Sequence, residues 1–368
     1  MKKIRKKIFL LIIFLIYFKI YCYNFDYLYT LEGHKSSVGC ISISYDSRYL
    51  VTGSFDTTIK IWDLNTKNII NTIIYGAIVE SLSFSQDNKL LASAGRDKKI
   101  KIWEVKTGNL LQTYGPFNDF IFCVTFTPDN KNIIIGSFKY IYFFNIKNNK
   151  ITNKIDIGNI WARSIKFSPD GNYLGIAGGN EVQIYNVKNN NDLINKLLGK
   201  NIDLKKLSFY KLQTYVYSID FSNDSQYFAF GCDNGEVYLY RTIDGFFMWS
   251  KKIYSSLIWS VAFSNSGFFA VAGRDKDIIL LDIKTGNIVK ILSTDCNENF
   301  SVVFSYNDKY LASSGNDAKI RVWNCKNNHI IIYKNKYFFI VAGFLIVFFI
   351  LIFFKFFQRK STVKEWKL

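Results

Sequence analysis

The sequence predicts an all-β domain of seven similar units, preceded by an apolar segment and followed by a transmembrane helix. The first observation is a hexamer, IKIWDL at residues 59–64, that returns as IKIWEV at 100–105. The second is that further relatives of this hexamer follow along the chain at a spacing of about 41 residues. The third is a pair of uncharged apolar runs, at residues 8–18 and 337–354.

The positive charge of the chain lies mainly at its two ends. The formal net charge is +18 over 368 residues, and residues 1–22 and 334–368 carry +6 each, which leaves +6 for everything between. A nucleic-acid-binding domain concentrates basic residues on its own surface. The sequence therefore does not favour nucleic acid as a partner, whereas 49% apolar residues suffice for a large packed core.

Residues 1–22 are predicted to be a signal peptide or an uncleaved signal anchor. Five basic residues precede an apolar run of 11 residues, 8–18, which is too short to cross a bilayer as a helix but typical of the apolar part of a secretory signal. A buried helix would show a polar face, and this run has none. A small-residue cleavage motif is absent, so both outcomes stay open.

Residues 337–357 are predicted to form a transmembrane helix, followed by a basic tail at 358–368. The run from Tyr337 to Phe354 contains no charge, and Lys355 is long enough to reach the membrane interface from within the span. Basic residues flank the outer ends of both apolar segments, which by the positive-inside rule puts both ends in the cytoplasm. We therefore expect a membrane protein whose central domain lies on the noncytoplasmic side.

The units between the two ends each predict a meander of β-strands. Relatives of IKIWDL begin at residues 141, 182, 237, 278 and 320, and each alternates its side chains as a strand does. About 15 residues upstream lies a second apolar strand that ends in an aromatic residue and a turn, as in VESLSFSQDN. A small-residue strand such as LLASAG lies between them, so that strand and turn alternate in every unit.

These residues resemble the WD-repeat family of β-propellers over residues 25–333, which implies a seven-bladed ring. The first unit carries the signature most fully, with Gly33-His34, Asp56 in a turn and Trp62-Asp63. In the family such residues form a buried hydrogen-bonded set with a Ser or Thr of the second strand, here Thr52 or Ser54. We call this set the blade lock. Residues that correspond to it in other blades are Asp97, Trp103, Asp275, Asp317 and Trp323.

Two further features follow from the repeat. The segment FDYLYTL at 25–31 has no partner in blade 1, and the resemblance implies that it completes blade 7; the alternative partner of that blade is IIIYKN at 330–335. The period lengthens by about 14 residues between blades 4 and 5, which predicts an insert at about 188–213. This insert is a surface loop or a partner-binding element.

The sequence offers no constellation for catalysis, and we predict no enzyme activity, no metal site and no cofactor. Only two histidines occur, His34 and His329, and the six cysteines contain no CxxC pair. In a lumenal domain of a eukaryote, Asn223 and Asn299 would be glycosylation acceptors.

The resemblance also implies a partner-binding rim at one end of the ring, at positions four before each first-strand aromatic and four before each hexamer. Aromatic residues and arginines are enriched among interface hot spots. In an alternative interpretation the phenylalanines simply pack inward between blades. The residues predicted to bind a partner are Trp259, Arg96, Arg274, Arg163, Tyr217, Phe55 and Phe300.

The function expected from these features is a membrane-tethered, noncatalytic scaffold that binds a protein or peptide through this rim. The first alternative is a cytosol-facing, membrane-anchored propeller that regulates a trafficking GTPase. The second alternative is a propeller enzyme, which the poor supply of ligating residues disfavours.

Overall fold

The computed structural model describes residues 25–187 and 206–325, and for residues 206–211 it describes the backbone alone. Within these ranges the chain forms 27 β-strands in seven antiparallel sheets, the blades. Blade 1 contains β2 (Val38–Ile43), β3 (Tyr49–Ser54), β4 (Thr58–Asp63) and β5 (Ile69–Ile74); blade 2 contains β6 (Val79–Phe84), β7 (Leu90–Gly95), β8 (Ile100–Glu104) and β9 (Leu110–Tyr114); blade 3 contains β10 (Ile121–Phe126), β11 (Asn132–Asn145) and β12 (Lys150–Trp161); blade 4 contains β13 (Ser164–Phe167), β14 (Tyr173–Gly178), β15 (Glu181–Asn186) and β16 (Lys206–Lys211); blade 5 contains β17 (Val216–Phe221), β18 (Tyr227–Cys232), β19 (Glu236–Arg241) and β20 (Phe247–Lys252); blade 6 contains β21 (Ile258–Phe263), β22 (Phe268–Gly273), β23 (Asp277–Asp282) and β24 (Ile288–Ser293); and blade 7 contains β25 (Asn299–Phe304), β26 (Tyr310–Gly315), β27 (Ile320–Asn324) and β1 (Asp26–Leu31).

The blades close into a ring through their first strands. Each first strand contacts the first strand of the blade on either side, and β25 of blade 7 contacts β2 of blade 1. Hydroxyl groups on these strands join neighbours directly: Ser81 Oγ accepts a hydrogen bond from the backbone of Val124 at 3.1 Å, and Ser218 Oγ accepts one from Val261 at 3.2 Å. The all-β, seven-bladed propeller predicted from the repeat is confirmed.

Strand β1 closes the ring as the sequence predicts. It pairs antiparallel with β27, from Asp26 opposite Asn324 to Leu31 opposite Ile320, so blade 7 is built from both ends of the domain. Leu31 is buried with Trp62 of blade 1 and Val322 of blade 7. The N-terminal strand therefore joins the first and last blades through one apolar cluster.

Blade 3 has the same plan, although its second and third strands form one element. The two ends of β11 meet, because the side-chain amide of Asn145 donates to Asn132 Oδ1 at 3.1 Å. Its middle turns at Lys139, whose φ is +66°. β11 is thus a hairpin that folds back on itself, and blade 3 contains the four strand segments of its neighbours.

Each first hairpin turns through a short polar loop. In blade 1 the hydroxyl of Ser44 donates to Asp46 at 2.5 Å, and Ser47 adopts the left-handed conformation, with φ of +60°. The next loop reaches across to it, because Asn88 Oδ1 accepts a hydrogen bond from the backbone of Tyr45 at 2.7 Å. These loops therefore complete the turns and link adjacent blades.

The core lies between neighbouring blades. Val51, Ile59 and Ile61 of blade 1 pack in one buried cluster with Val79 and Leu82 of blade 2. The blades approach so closely that a Cβ atom at Gly53 would lie 2.6 Å from Val79 Cγ1. A small residue at the middle of the second strand is therefore a packing requirement of the ring.

One predicted boundary is wrong. The predicted insert at 188–213 includes residues 206–211, which form β16 and pair antiparallel with β15 as the fourth strand of blade 4. The added length therefore lies before β16. The sequence of residues 206–211 combines apolar residues with lysines and was not recognised as a strand. An outer strand needs only one apolar face, so its pattern is weaker than that of an inner strand.

The predicted segments 1–22, 337–357 and 358–368 and the alternative closing strand at 330–335 lie outside the described residues. Within residues 25–187 and 206–325, no helix is long and apolar enough to cross a bilayer.

Candidate functional site

The blade lock of blade 1 is a connected chain of hydrogen bonds. The indole N–H of Trp62 donates to Thr52 Oγ1 at 2.9 Å, and Thr52 Oγ1 lies 2.7 Å from His34 Nε2. On the other side of the imidazole, His34 Nδ1 lies 2.9 Å from Asp56 Oδ2. All four groups are satisfied when the neutral imidazole carries its proton on Nδ1, so that Thr52 donates to Nε2 and Asp56 accepts.

Burial sets the charge state of this chain. It lowers the pKa of His34 below its ordinary value, even though the adjacent Asp56 favours the charged form. Burial also opposes ionisation of Asp56, but hydrogen bonds from Thr58 Oγ1, the backbone of Lys35 and His34 outweigh it, and the pKa of Asp56 falls to about 2. The lock therefore pairs a neutral histidine with a carboxylate at neutral pH.

The other predicted lock residues form separate pairs. In blade 2, Trp103 donates to Ser93 Oγ at 2.7 Å, while Asp97 accepts from the hydroxyl of Tyr75 at 2.9 Å. In blade 7, Asp317 pairs with Arg321. Asp275 of blade 6 accepts a hydrogen bond from the backbone of Asp277 at 3.3 Å, and Trp323 is buried in blade 7. In blade 2, Tyr75 stands in place of the histidine and reaches the turn acid Asp97, whereas in blade 6 the hydroxyl of Tyr254 donates to the backbone of Val271 in the second strand at 2.8 Å.

Blade 5, where the turn acid is replaced by asparagine, stacks aromatic rings instead. Phe228 stacks on Tyr240 with ring centroids 5.4 Å apart, and Phe230 stacks on Tyr238 at 5.2 Å. Blade 5 thus has stacked aromatic rings where blade 1 has its hydrogen-bonded set.

The predicted rim residues lie at the end of the ring where the first strands begin. We call the contact chain from Arg96 through Phe55, Phe300, Trp259, Tyr217 and Arg163 to Phe122 the belt. The blades bring these residues together because the first strands stand side by side and start at the same level. Phe55 reaches into this level from the loop after β3, over Gly39, where a Cβ atom would lie 3.0 Å from its ring.

Consecutive members of the belt contact each other around most of the ring. Phe55 stacks on Phe300 with centroids 6.2 Å apart, and Phe300 meets Trp259 edge to face at 5.8 Å. Trp259 meets Tyr217 edge to face at 5.1 Å, and the guanidinium of Arg163 lies 5.6 Å from the Tyr217 centroid. The phenylalanines thus pack against one another across blades and also remain part of the surface, so neither earlier interpretation describes them alone.

The three predicted arginines differ in their partners. Arg96 Nε lies 2.8 Å from Glu80 Oε1, and Arg274 Nε lies 2.5 Å from Glu298 Oε1. Arg163 is surrounded by rings instead: its guanidinium carbon lies 4.7 Å from the centroid of Phe122 and 5.9 Å from that of Trp161. Among the residues that the structure describes, no carboxylate forms an ion pair with Arg163.

Two polar groups of the belt are withdrawn from solvent and have no hydrogen-bond partner within the described part of the chain. They are Arg163 Nε and the indole nitrogen of Trp259. Both are donors, and each flanks Tyr217. A buried donor without an acceptor is costly, so an acceptor supplied by a bound group would stabilise both.

A cleft of about 370 Å³ opens beside the belt at blade 4, between the segment that leads from blade 3 into blade 4 and the segment that leads from blade 4 into blade 5. It is lined by residues that precede β13, close β14 and lead into β17: Asn159, Trp161, Gly179, Asn180, Leu212, Gln213, Thr214 and Tyr215. Trp161 and Tyr215 are about half exposed, at 47% and 56%. Because Trp161 also contacts Arg163, the cleft and the belt are continuous.

Sequence reasoning missed Trp161 and Glu298, the acidic partner of Arg274. Trp161 ends the fourth strand of blade 3, where the repeat has no fixed residue, yet it stacks on Phe122 at 6.2 Å. Glu298 comes directly before β25 and also falls between the repeated positions. Its place two residues before Phe300 was the available signal.

Chemical groups near the belt do not assemble a reactive centre in the described residues. No cluster of three or more His, Cys, Asp or Glu side chains that could hold a metal occurs there. Burial raises the pKa of the Cys123 thiol to about 12, and it raises the pKa values of Cys40 and Cys232 as well. Buried thiols of this kind are poor nucleophiles.

The suggestion that Asn299 is a glycosylation acceptor does not fit the folded domain. Its side chain is only 1% exposed, and its amide nitrogen donates to the backbone of Asp275 at 2.8 Å and to Thr294 Oγ1 at 3.0 Å. A sugar cannot be carried there without unfolding blade 7. Asn223 lies in a turn, and its side chain is half-buried.

Comparisons with known proteins agree with the fold. Residues 25–63, 70–104, 205–241 and 291–324 match the family described as WD domain, G-beta repeat. The chain is 26% identical over 133 residues to eukaryotic translation initiation factor 3 subunit I of Kluyveromyces lactis, covering 34% of this chain and 38% of that protein. It is 32% identical over 118 residues to the B-type cell cycle switch protein ccs52A of Medicago truncatula, covering 30% and 23%.

A third relative shares only a short span. The ribosome biogenesis protein BOP1 homolog of Anopheles gambiae is 48% identical over 50 residues, which is 14% of this chain and 6% of that protein. The chain thus spans much less than two thirds of the length of these relatives.

Proposed function

Starting from a seven-bladed β-propeller with WD40 repeats, we propose that this protein is a membrane-tethered, noncatalytic scaffold that binds a protein or peptide partner through the belt. The observation that carries the proposal is the continuity of the belt. Each of the seven blades contributes one aromatic residue or arginine, and these residues form one connected surface.

The composition of the belt suits a partner interface. Tyr, Trp and Arg dominate binding energy at interfaces because they combine a large contact area with polar groups that fix orientation. Trp259 has a free donor and two aromatic contacts, which makes it the centre of the proposed interface. Phe55 is 37% exposed and Trp161 is 47% exposed, so apolar area is available at both ends of the contact chain.

The positions of the domain ends support the tether. Asp26 pairs with Asn324 at the end of blade 7 that lies away from Phe300 and the belt. Residues 1–22 precede this point and residues 337–357 follow it, and both are apolar segments with basic flanks. Both segments therefore connect to the propeller at the end of blade 7 opposite to the belt.

The relatives support a scaffold role in general terms. One is named as a subunit of a translation initiation factor, and others are named for ribosome biogenesis and the cell cycle. We transfer from them the role of a binding subunit and no particular partner.

The proposal is tested by site-specific photocrosslinking in native membranes. A benzophenone amino acid in place of Phe300 is expected to give a discrete protein adduct, and replacement of Trp259 by Ala in the same chain is expected to abolish it. The matched control replaces Phe246, which is 59% exposed at the opposite end of blade 5. The same adduct from both positions, or an adduct that survives Trp259→Ala, would contradict binding through the belt.

A further inference from the structure

Arg163 is the belt arginine whose charge has no acidic counterpart in the described structure. Its guanidinium lies over the rings of Phe122, Tyr217 and Trp161, at 4.7, 5.6 and 5.9 Å from their centroids. Arg96 and Arg274 instead each hold a glutamate of a neighbouring loop or strand. Two of the arginines are thus neutralised within the protein, and Arg163 presents a cation to whatever binds.

The environment of Arg163 determines which group it can take. Ring faces hold the guanidinium plane in place and remove water from it, but they cannot accept the hydrogen bond of Nε, which is buried and unpartnered. A guanidinium fork matches two oxygens of a carboxylate or phosphate, and a charge-assisted bond is stronger where water is excluded. An anionic oxygen group would satisfy both the charge and the free donor.

The second free donor gives the bound group a direction. The indole N–H of Trp259 lies beyond Tyr217, whose ring contacts both Arg163 and Trp259. An extended peptide advances about 3.3 Å per residue, so a few residues reach from one donor to the other. A backbone carbonyl or a side-chain oxygen of the same segment would occupy the indole N–H.

The cleft beyond Trp161 provides room on the other side of Arg163. Its volume of about 370 Å³ accepts one large side chain, and its lining combines Trp161 and Tyr215 with amide groups of Asn159 and Asn180. The arrangement from Trp259 to the cleft therefore runs across blades 4 to 6.

We infer that the partner presents an extended acidic segment across blades 4 to 6, with a carboxylate or phosphate on Arg163, an acceptor on Trp259 Nε1 and a neighbouring side chain in the cleft. This inference rests on the proposed function, since it names the chemistry of the partner at the belt. Carboxylate and phosphate share the chemistry that Arg163 requires, and the two sources are separated by experiment.

The test is selection from a random peptide library, with the full-length protein in lipid nanodiscs as bait. The wild-type protein is expected to enrich Asp or Glu at one position, and synthetic peptides with that residue or with phosphoserine there then distinguish carboxylate from phosphate. Arg163→Lys should keep the acidic preference. Arg163→Glu should lose it, with affinity for the selected acidic peptide lower by at least about 30-fold.

Two further variants control the experiment. Arg241→Glu reverses a charge at the opposite end of blade 5, where Arg241 pairs with Asp244, and should leave selection unchanged. Arg163→Gln removes the charge with a smaller change in shape and serves if Arg163→Glu fails to fold. A melting temperature close to that of the wild type is required of each variant used.

Four outcomes would overturn the inference. Belt-dependent peptides without an acidic preference, or an acidic preference that persists in Arg163→Glu, would contradict the role of Arg163 while leaving peptide binding by the belt intact. Failure to select any peptide that Trp259→Ala weakens would contradict the proposed function as well. A single-stranded oligonucleotide can be added as a competitor of the selected peptides. If it binds more tightly than every peptide, the partner is nucleic acid and not an acidic peptide.

Discussion

Thr52 is central to the lock of blade 1, because its hydroxyl forms hydrogen bonds with both Trp62 and His34. It accepts from Trp62 Nε1 at 2.9 Å and lies 2.7 Å from His34 Nε2. Thr52 and Trp62 are almost fully buried, and His34 is only 8% exposed, so water does not readily replace a lost bond. The strength of the lock therefore depends on keeping a hydroxyl at this position.

Thr52→Val is expected to destabilise the propeller although it preserves shape. The substitution leaves the indole N–H of Trp62 and the Nε2 atom of His34 without partners, at a cost of about 1–3 kcal/mol for each group. Ser93→Ala is the matched control in blade 2, since it frees the indole N–H of Trp103 but no histidine nitrogen, and each substitution also removes a 3.4 Å contact to a backbone oxygen of the third strand. Thermal unfolding of the full-length protein in detergent should show roughly twice the loss for Thr52→Val, and an equal or smaller loss would contradict a connected lock.

The buried histidine makes stability depend on pH. The pKa of His34 is lower in the folded protein than in the unfolded chain, so in the interval between the two values the unfolded chain binds more protons. The stability that neutral His34 contributes is fully present above about pH 6.5 and is lost as the pH falls through its folded pKa. The melting temperature should decline with acidification from about pH 6.5.

The difference between the wild type and His34→Gln isolates this effect. Burial raises the pKa values of Asp220 and Asp308, and their contributions to the pH dependence of stability have the opposite sign. Both carboxyls are present in the wild type and in the variant, so they cancel in the comparison. If the melting temperatures of the wild type and of His34→Gln fall in parallel between pH 7 and pH 5, His34 does not titrate as expected. The variant His329→Gln controls for a contribution of the second histidine to the pH dependence.

Strand β1 closes the ring of blades, and some of its side chains are buried while others are exposed. Leu31 is 3% exposed and lies in the cluster shared by blades 7 and 1, whereas Leu28 is 40% exposed on the same strand. The two leucines thus allow the same substitution to be compared inside and outside the core.

Leu31→Ala should cost about 2–5 kcal/mol, because it removes a buried side chain and leaves a cavity between blades. Leu28→Ala should change stability by less than about 1 kcal/mol. Chemical denaturation of the two variants measures the difference. Deletion of residues 25–31 is expected to abolish the protease-resistant propeller altogether, and a stable remainder would mean that blade 7 closes without β1.

The repeat predicts the elements well because each strand has the same environment in every blade. The hexamer from Ile59 to Leu64 occupies the third strand, where a buried aromatic such as Trp62 packs against the preceding blade, and the same requirement recurs around the ring. The contacts of the belt are less predictable. Trp161 contacts the belt from the end of a fourth strand, and the neighbours in space decide that Arg96 has an acidic partner and that Arg163 lies among aromatic rings. Such differences arise from the particular side chains of the adjacent blades. A repeat pattern shows only what the blades share, so it does not predict these contacts.

At the scale of the whole propeller, the belt and the ends of the domain lie on opposite sides. The first strands begin at the belt, and β1 and β27 meet at Asp26 and Asn324 on the other side. The hairpin between β19 and β20 lies on that second side as well, and its tip carries Ile243, which is 68% exposed, and Phe246. Exposed apolar side chains at the tip of a hairpin are of the kind that bind at a membrane interface.

The proposed topology predicts the protection of this same hairpin from protease. A cleavage site for a specific protease, inserted between Asp244 and Gly245, should stay intact in sealed vesicles whose cytoplasmic face is outward and be cut once detergent opens them. An epitope on the basic tail at 358–368 should be removed in the same sealed vesicles, since both apolar segments place their basic flanks in the cytoplasm. An unmodified propeller that resists the protease in detergent shows that cutting requires the inserted site. Cleavage of the hairpin in sealed vesicles would place the belt in the cytosol, contradict the export signal in residues 1–22, and favour the regulator of a trafficking GTPase over a scaffold on the noncytoplasmic side.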